Sequence, residues 1–122
     1  MKALFDTCIL VDYLKGIPAA EKELARFDDK AISVITWMEV MVGTNEVTER
    51  KTDYWLTHAF EVIDVDKAIS VQAVTVRKNR KVKLPDAVIF ATAQCTNRLF
   101  VTRNTKDFSP DEVVIRIPYQ IG

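Results

Sequence analysis

Short apolar runs alternate with stretches of helix-spaced apolar residues along the chain. The runs predict buried strands, and apolar residues three or four positions apart predict helices. The predicted strands cover residues 3–5, 31–35, 62–65, 99–102 and 113–117. Because strands and helices alternate, the pattern favours an α/β fold with a mainly parallel sheet that helices cover on both faces.

The predicted helices lie between these strands. One should begin after Thr36 and end near Gly43, and others should cover residues 67–78 and 86–94. The helix over residues 86–94 is apolar on nearly all sides, so we expect it to be buried at the centre of the fold. The other helix-spaced residues are Ile9, Leu10, Tyr13 and Leu14, then Ala20, Leu24 and Phe27, then Val47, Tyr54, Trp55 and His58.

The composition is that of one small domain. With 122 residues, 48% of them hydrophobic, the chain has enough apolar material for one core, so residues 1–122 are predicted to form a single domain.

Seventeen basic residues balance seventeen acidic ones, which argues against a strongly basic coat for nucleic acid. Two cysteines and one histidine without metal-binding spacing argue against zinc. No apolar stretch reaches roughly 18 residues, so we expect a cytoplasmic protein without membrane contact.

Four acidic residues stand where apolar runs give way to turns or helices. Asp6 follows the first strand, Asp86 heads the apolar helix, and Asp107 closes a short loop after the fourth strand. Glu39 lies in the helix after the second strand, whereas Asp12 is expected to be a solvated helix residue. The carboxyl ends of parallel strands share one edge, where carboxylates about 4 Å apart repel by roughly 4 kcal/mol per pair at an effective dielectric near 20. Such a cluster suits Mg²⁺ or Mn²⁺, which supports phosphodiester hydrolysis.

These acids also have purely structural explanations. Thr36 and Glu39 match a capping box, in which the glutamate only satisfies a backbone donor at a helix end. Asp86 could complement a helix dipole. Asn104 and Asp107 could merely shape a turn. Taken together, however, the acids favour an oxygen-ligand metal site.

A run of basic residues precedes Asp86. Such runs are usually solvated surface, but this one leads into the predicted metal site of a chain with zero net charge. We therefore predict a patch that attracts RNA phosphates, with Arg98 and Arg103 as weaker contacts. The run comprises Arg77, Lys78, Arg80, Lys81 and Lys83.

Four segments spread over nearly the whole chain form a characteristic set: DTCILVDYL, ITWMEV, LPDAVIFATA and VTRNTKDF. Together they resemble the PIN-domain ribonucleases, and among these the VapC toxins of bacterial and archaeal toxin–antitoxin pairs. The resemblance implies a PIN-like three-layer α/β/α sandwich around five parallel strands. It also implies homodimerisation, Mg²⁺-dependent RNA cleavage, and neutralisation by a small cognate antitoxin.

The resemblance assigns roles position by position. It puts the family's first acid on Asp6, its second on Glu39 and its third on Asp86. Many relatives have an acid where Asn104 stands, so the fourth role falls either to Asp107 or to a water held by Asn104.

Three neighbouring positions complete the comparison with the family pattern. Thr7 matches a hydroxyl residue that could orient a ligand water. Cys8 replaces a small polar residue and Phe90 replaces a small one. Neither departure affects a carboxylate, so we expect altered packing and unaltered activity.

Two other functions remain possible on the sequence. A phosphoacceptor receiver domain has a similar length and an acidic Mg²⁺ site, but it needs adjacent acids after the first strand and a lysine after the fifth. This chain has the lone Asp6, and its last strand leads into Arg116 and Pro118. A PIN-like RNA-binding scaffold without catalysis typically lacks one or more of the acids.

Overall fold

The computed structural model describes residues 1–121, and a sheet of five strands forms its middle layer. The strands are β1 (Lys2–Phe5), β2 (Asp29–Ser33), β3 (Glu61–Ile63), β4 (Leu99–Val101) and β5 (Ile115–Arg116). They lie in the order β3-β2-β1-β4-β5, and each neighbouring pair is parallel. The predicted parallel sheet is therefore confirmed, and all the strand ends that lead into helices face one edge.

Helices cover both faces of this sheet. They are α1 (Thr7–Leu14), α2 (Pro18–Ala25), α3 (Val34–Val42), α4 (Glu49–Ala59), α5 (Lys67–Arg80) and α6 (Leu84–Cys95). Successive side chains of a strand point to opposite faces. Accordingly, Ala3 and Phe5 of β1 pack in a core with residues of α1 to α4, whereas Leu4 packs in a second core with α5 and α6.

The buried central helix is confirmed as α6. Ala87 is fully buried, and so are all residues from Ile89 to Thr92. Pro85 occupies the first turn, where its missing N–H leaves no helix bond unmade. Within residues 1–121 no helix combines the length and apolarity needed to cross a membrane.

Several predicted boundaries are wrong. The second strand ends at Ser33, whose side chain caps α3 by accepting a hydrogen bond from Ile35 N at 3.1 Å. The helix expected after Thr36 therefore begins at Val34, because a serine cap stops the apolar run from continuing as a strand. The third and fifth strands are also shorter than predicted, at three and two residues.

The predicted apolar face of the fourth helix is wrong in part: Trp55 packs against the core as expected, but Val47 and Tyr54 are exposed. Val47 lies before α4 in a turn where the side chain of Asn45 accepts a hydrogen bond from Val47 N at 2.9 Å. Tyr54 is exposed, and α4 buries Thr52 and Leu56 instead. The Asn45 turn delays the start of α4 to Glu49, so Val47 is not part of the helix.

Candidate active site

Asp6 is fixed at the carboxyl edge of the sheet, between β1 and α1. Its backbone is extended, and its side chain caps α1 by accepting a hydrogen bond from Thr7 N at 2.8 Å. The Thr102 hydroxyl, just beyond β4, donates to its other oxygen at 2.7 Å. The residue is 7% exposed, so these two bonds replace most of its water.

Burial decides the ionisation of Asp6. Loss of hydration raises its pKa to about 6, and the hydrogen bonds from Thr102 and Thr7 only partly oppose that rise. The negative charges of Asp86 and Glu39 raise it further. Because burial and negative neighbours destabilise the ionised form of Asp6, a cation placed beside it would stabilise that form.

Asp86 lies in the first turn of α6, where the negative charges of the other acids act on it. Partial burial raises its pKa, and the charges of Glu39 and Asp107 raise it further, while Lys83 opposes them. Asp86 therefore interacts with the other three acids: Asp6 responds to its charge, and it responds to the charges of Glu39 and Asp107. The structure brings the four predicted carboxylates together at one edge.

Two hydrogen-bonded threonine hydroxyls position Glu39. The Thr7 hydroxyl donates to Glu39 Oε1 at 2.7 Å and lies 2.9 Å from the hydroxyl of the buried Thr36. The capping-box explanation for Glu39 is wrong, because Ser33 caps α3 and the glutamate side chain points across to α1. Thr7 thus contacts two acids at once, one through its backbone and one through its side chain.

Asn104 and Asp107 form a closed local pair in the segment after β4. Asn104 Nδ2 donates to Asp107 Oδ2 at 2.9 Å, and Asp107 N donates to Asn104 Oδ1 at 3.3 Å. The amide side chain therefore orients the carboxylate. The charge of Asp107 raises the pKa of Asp86, and the side chain of Asn104 holds Asp107 in its orientation.

Thr102 is the site residue that sequence reasoning missed. Besides donating to Asp6, its hydroxyl accepts a hydrogen bond from Asn104 N at 3.0 Å, so it joins the first acid to the segment of the fourth. Cys8 Sγ lies 3.9 Å from the same hydroxyl, and burial raises the pKa of this thiol to about 11. The available signal was a hydroxyl directly after a strand at the acidic edge, a position comparable with that of Asp6.

Two expectations about charged residues are corrected here. Asp12 is buried rather than solvated: Arg103 donates to it through Nε at 2.7 Å and Nη2 at 3.1 Å, and Tyr119 through its hydroxyl at 2.9 Å. Arg98 is no phosphate contact, because it is buried before β4, at the end of the strands opposite to the acids, and pairs with Asp29 at 2.7 Å.

The predicted basic run is divided by the fold. Its first residues belong to the last turn of α5, and Lys81 ends that helix in a left-handed conformation with φ of 58°. Arg77, Lys78, Lys81 and Lys83 are exposed. Arg80 instead pairs with Glu112.

The acids suit a hard cation that keeps part of its water shell. Their donors are all oxygens, and burial together with mutual repulsion raises the pKa of both Asp6 and Asp86. Within residues 1–121, however, no three acidic, histidine or cysteine side chains are arranged closely enough to hold an ion alone. Mg²⁺ is usually bound in this way, through one or two carboxylates and several waters.

Residues 3–109 match the PIN-domain family. The chain therefore belongs to the PIN-domain family, and its acidic edge is the edge that this fold builds from β1, α3, α6 and the segment after β4.

The predicted resemblance to VapC toxins is confirmed. The chain is 40% identical to a chain of a toxin–antitoxin complex from Klebsiella pneumoniae, with 98% of this chain and 100% of that chain covered and a TM-score of 0.90. It is 29% identical to Ribonuclease VapC1 of Methanocaldococcus jannaschii over 112 residues, which are 88% of this chain and 79% of that protein. VapBC2 from Rickettsia felis, bound to a promoter DNA fragment, shares the fold at 20% identity, 95% and 98% coverage and a TM-score of 0.74.

The raised pKa of Asp6 predicts how the stability of metal-free protein depends on pH. Between about pH 4 and pH 6 the folded state retains a proton that the unfolded state has lost, so stability should fall as pH rises through this window and then level off. Two pKa units correspond to about 3 kcal/mol. Melting curves with a chelator should show the fall in wild type and a much smaller one in Asp6→Asn. Equal curves for the two proteins would contradict the assignment.

Proposed function

We propose that the protein is a divalent-metal-dependent endoribonuclease and the toxin of a toxin–antitoxin pair. The observation that supports this most is the set of four acids at one edge of a PIN fold, in which Asp86 is repelled by each of the other three. The 40% identity to a chain of a toxin–antitoxin complex supports the biological role. The receiver alternative has no comparable support. A scaffold without catalysis would not need four acids held in this way.

The four acids would act as metal ligands in the proposed site. Asp6 and Asp86 would hold Mg²⁺ or Mn²⁺, with Glu39 and Asp107 as further ligands directly or through water. An ion held there would supply activation of a water and neutralisation of charge on the phosphate.

The remaining hydroxyl and amide groups keep those acids in place. Thr7 donates hydrogen bonds to both Asp6 and Glu39 and so links the first acid to the second. Asn104 aims Asp107 through two hydrogen bonds. Preorganised ligands of this kind lower the reorganisation needed when substrate binds.

We predict that the exposed lysines near the site bind RNA phosphates without reading sequence. Changing Lys81 and Lys83 to Ala in a cleavage-dead background should weaken RNA binding. Each lost contact should also flatten the slope of log affinity against log salt by roughly 0.7 to 0.9. Unchanged affinity and slope would show that the lysines are ordinary solvated surface.

The acidic edge would also attract a basic side chain from an antitoxin, ideally the bidentate fork of arginine. The expected partners are thus an RNA substrate, a small cognate antitoxin and a second copy of the chain as homodimer. The place of action would be the cytoplasm, where RNA is available.

Growth of the host cell tests the toxin role. Expression of the isolated chain should stop growth, expression of Asp86→Asn at the same level should not, and co-expression of a small cognate antitoxin should restore growth. Harmless expression of folded, soluble wild-type protein would overturn the toxin role while leaving ribonuclease activity to be measured in vitro.

A further inference from the structure

The segment between β4 and β5 carries Asp107 and forms no helix or strand over residues 102–114. Asp107 itself is only half-buried, and its direct partner is Asn104 of the same segment. Local hydrogen bonds alone would let the pair move together as a unit. The position of the carboxylate relative to the other acids therefore depends on what anchors the segment.

Two arginine–carboxylate pairs anchor the segment near its ends. At the first end, Arg103 donates two hydrogen bonds to the buried Asp12 of α1, at 2.7 and 3.1 Å. At the other end, both terminal nitrogens of Arg80, the last residue of α5, donate to Glu112, one of them at 3.0 Å. Bidentate pairs of this type fix orientation as well as distance.

Arg80 also contacts the apolar middle of the segment. Its guanidinium lies 4.6 Å from the ring centroid of Phe90 and 5.6 Å from that of Phe108. Phe108 directly follows Asp107, is 1% exposed, and packs with Phe90 and Phe100 at centroid distances of 5.0 Å. Phe90, the position that departs from the family pattern, thus supplies a ring on which the arginine stacks.

We propose that Arg80 is a positioning residue for the fourth acid: together with Glu112 and Phe108 it holds the segment of Asp107 against α5 and α6. The proposal rests on the proposed ribonuclease function and replaces the phosphate contact that the sequence predicted for Arg80. Its charge is matched by Glu112, whose pKa the guanidinium lowers, so little of that charge is free to attract phosphate.

Substitution of Arg80 or Glu112 tests whether Arg80 positions Asp107 or binds RNA phosphate. Arg80→Gln and Glu112→Gln should each lower kcat about tenfold, the low end for residues that support metal ligands, with KM nearly unchanged. The double variant should be no worse than either single variant, because both remove the same interaction. Arg80→Lys should recover little, since an ammonium cannot form the bidentate pair.

If Arg80 instead contacted RNA phosphates, the variants would give different results. Arg80→Lys would then restore most activity, Arg80→Gln would raise KM and flatten the salt dependence of RNA binding, and Glu112→Gln would leave activity unchanged or improved. Any of these results overturns the proposal. Asp111→Asn is the matched control, because it removes the same charge from the exposed neighbour of Glu112.

Hydrogen exchange gives a readout that does not depend on catalysis. The amide of Phe108 donates to Asn104 O at 3.2 Å, and it should exchange faster in Arg80→Gln and Glu112→Gln than in wild type or Asp111→Asn. Unchanged exchange in both variants overturns the anchoring. Failure of the proposed function is seen separately, as wild-type protein that does not cleave RNA with Mg²⁺ or Mn²⁺.

Discussion

Asp86→Asn should abolish RNA cleavage and leave the fold intact. Loss of about 4 kcal/mol of transition-state stabilisation, the scale of metal-assisted charge neutralisation, lowers the rate about a thousandfold. The metal-free variant should be as stable as wild type or slightly more so, because the charge of Asp86 is partly buried and repelled by Glu39 and Asp107. Cleavage of a mixed RNA pool and melting curves with and without Mg²⁺ measure both effects.

The matched control is Asp64→Asn, which alters an exposed acid just after β3. It should retain wild-type cleavage and the rise in melting temperature that Mg²⁺ produces by binding only the folded state. Asp86→Asn should lose most of that rise. Full activity of Asp86→Asn would falsify the assignment of this residue to the metal site.

Asp12→Ala should be strongly destabilising. The substitution removes a buried carboxylate that accepts hydrogen bonds from Arg103 and Tyr119, and it leaves those donors without their partner. Breaking a buried pair costs 3–5 kcal/mol as a rule, and Arg103 is about one-third exposed, so we expect about 3 kcal/mol. In a domain of this size that lowers the melting temperature by roughly 10 °C.

The comparison with Asp28→Ala, an exposed acid before β2, controls for the loss of a negative charge. The double variant Asp12→Ala with Arg103→Ala should cost less than the sum of the single variants, since they share one interaction. A melting temperature for Asp12→Ala within a degree or two of that of Asp28→Ala would show that the pair contributes little.

Local sequence carries much of the candidate site. Asp6 and Asp86 stand beside strand ends or helix starts, and topology alone brings such positions to one edge of a parallel sheet. Their assembly with Glu39 and Asp107 could therefore be predicted. Thr102 could not be singled out in the same way, because a hydroxyl after a strand has many roles and its bond to Asp6 joins residues 96 positions apart.

Charged residues were harder to interpret than strands and helices. Asp12 and Arg103 look like ordinary polar residues of a helix and a loop, yet each is the partner of the other across 91 positions. Arg80 belongs to a basic run by sequence and to an ion pair with Glu112 by structure. Periodicity reports which side of an element is apolar, but it says nothing about which distant charge will neutralise a given one.

The sequence by itself determined the alternation of strands and helices, the buried α6 and the acids at the ends of the strands, because these depend on spacing along one element and on the geometry of parallel sheets. Only the tertiary structure decided the partners of Asp12, Arg80 and Arg98. The physical reason is that burial of a charge depends on contacts between distant segments. The same residue is solvated or paired according to what the fold places beside it.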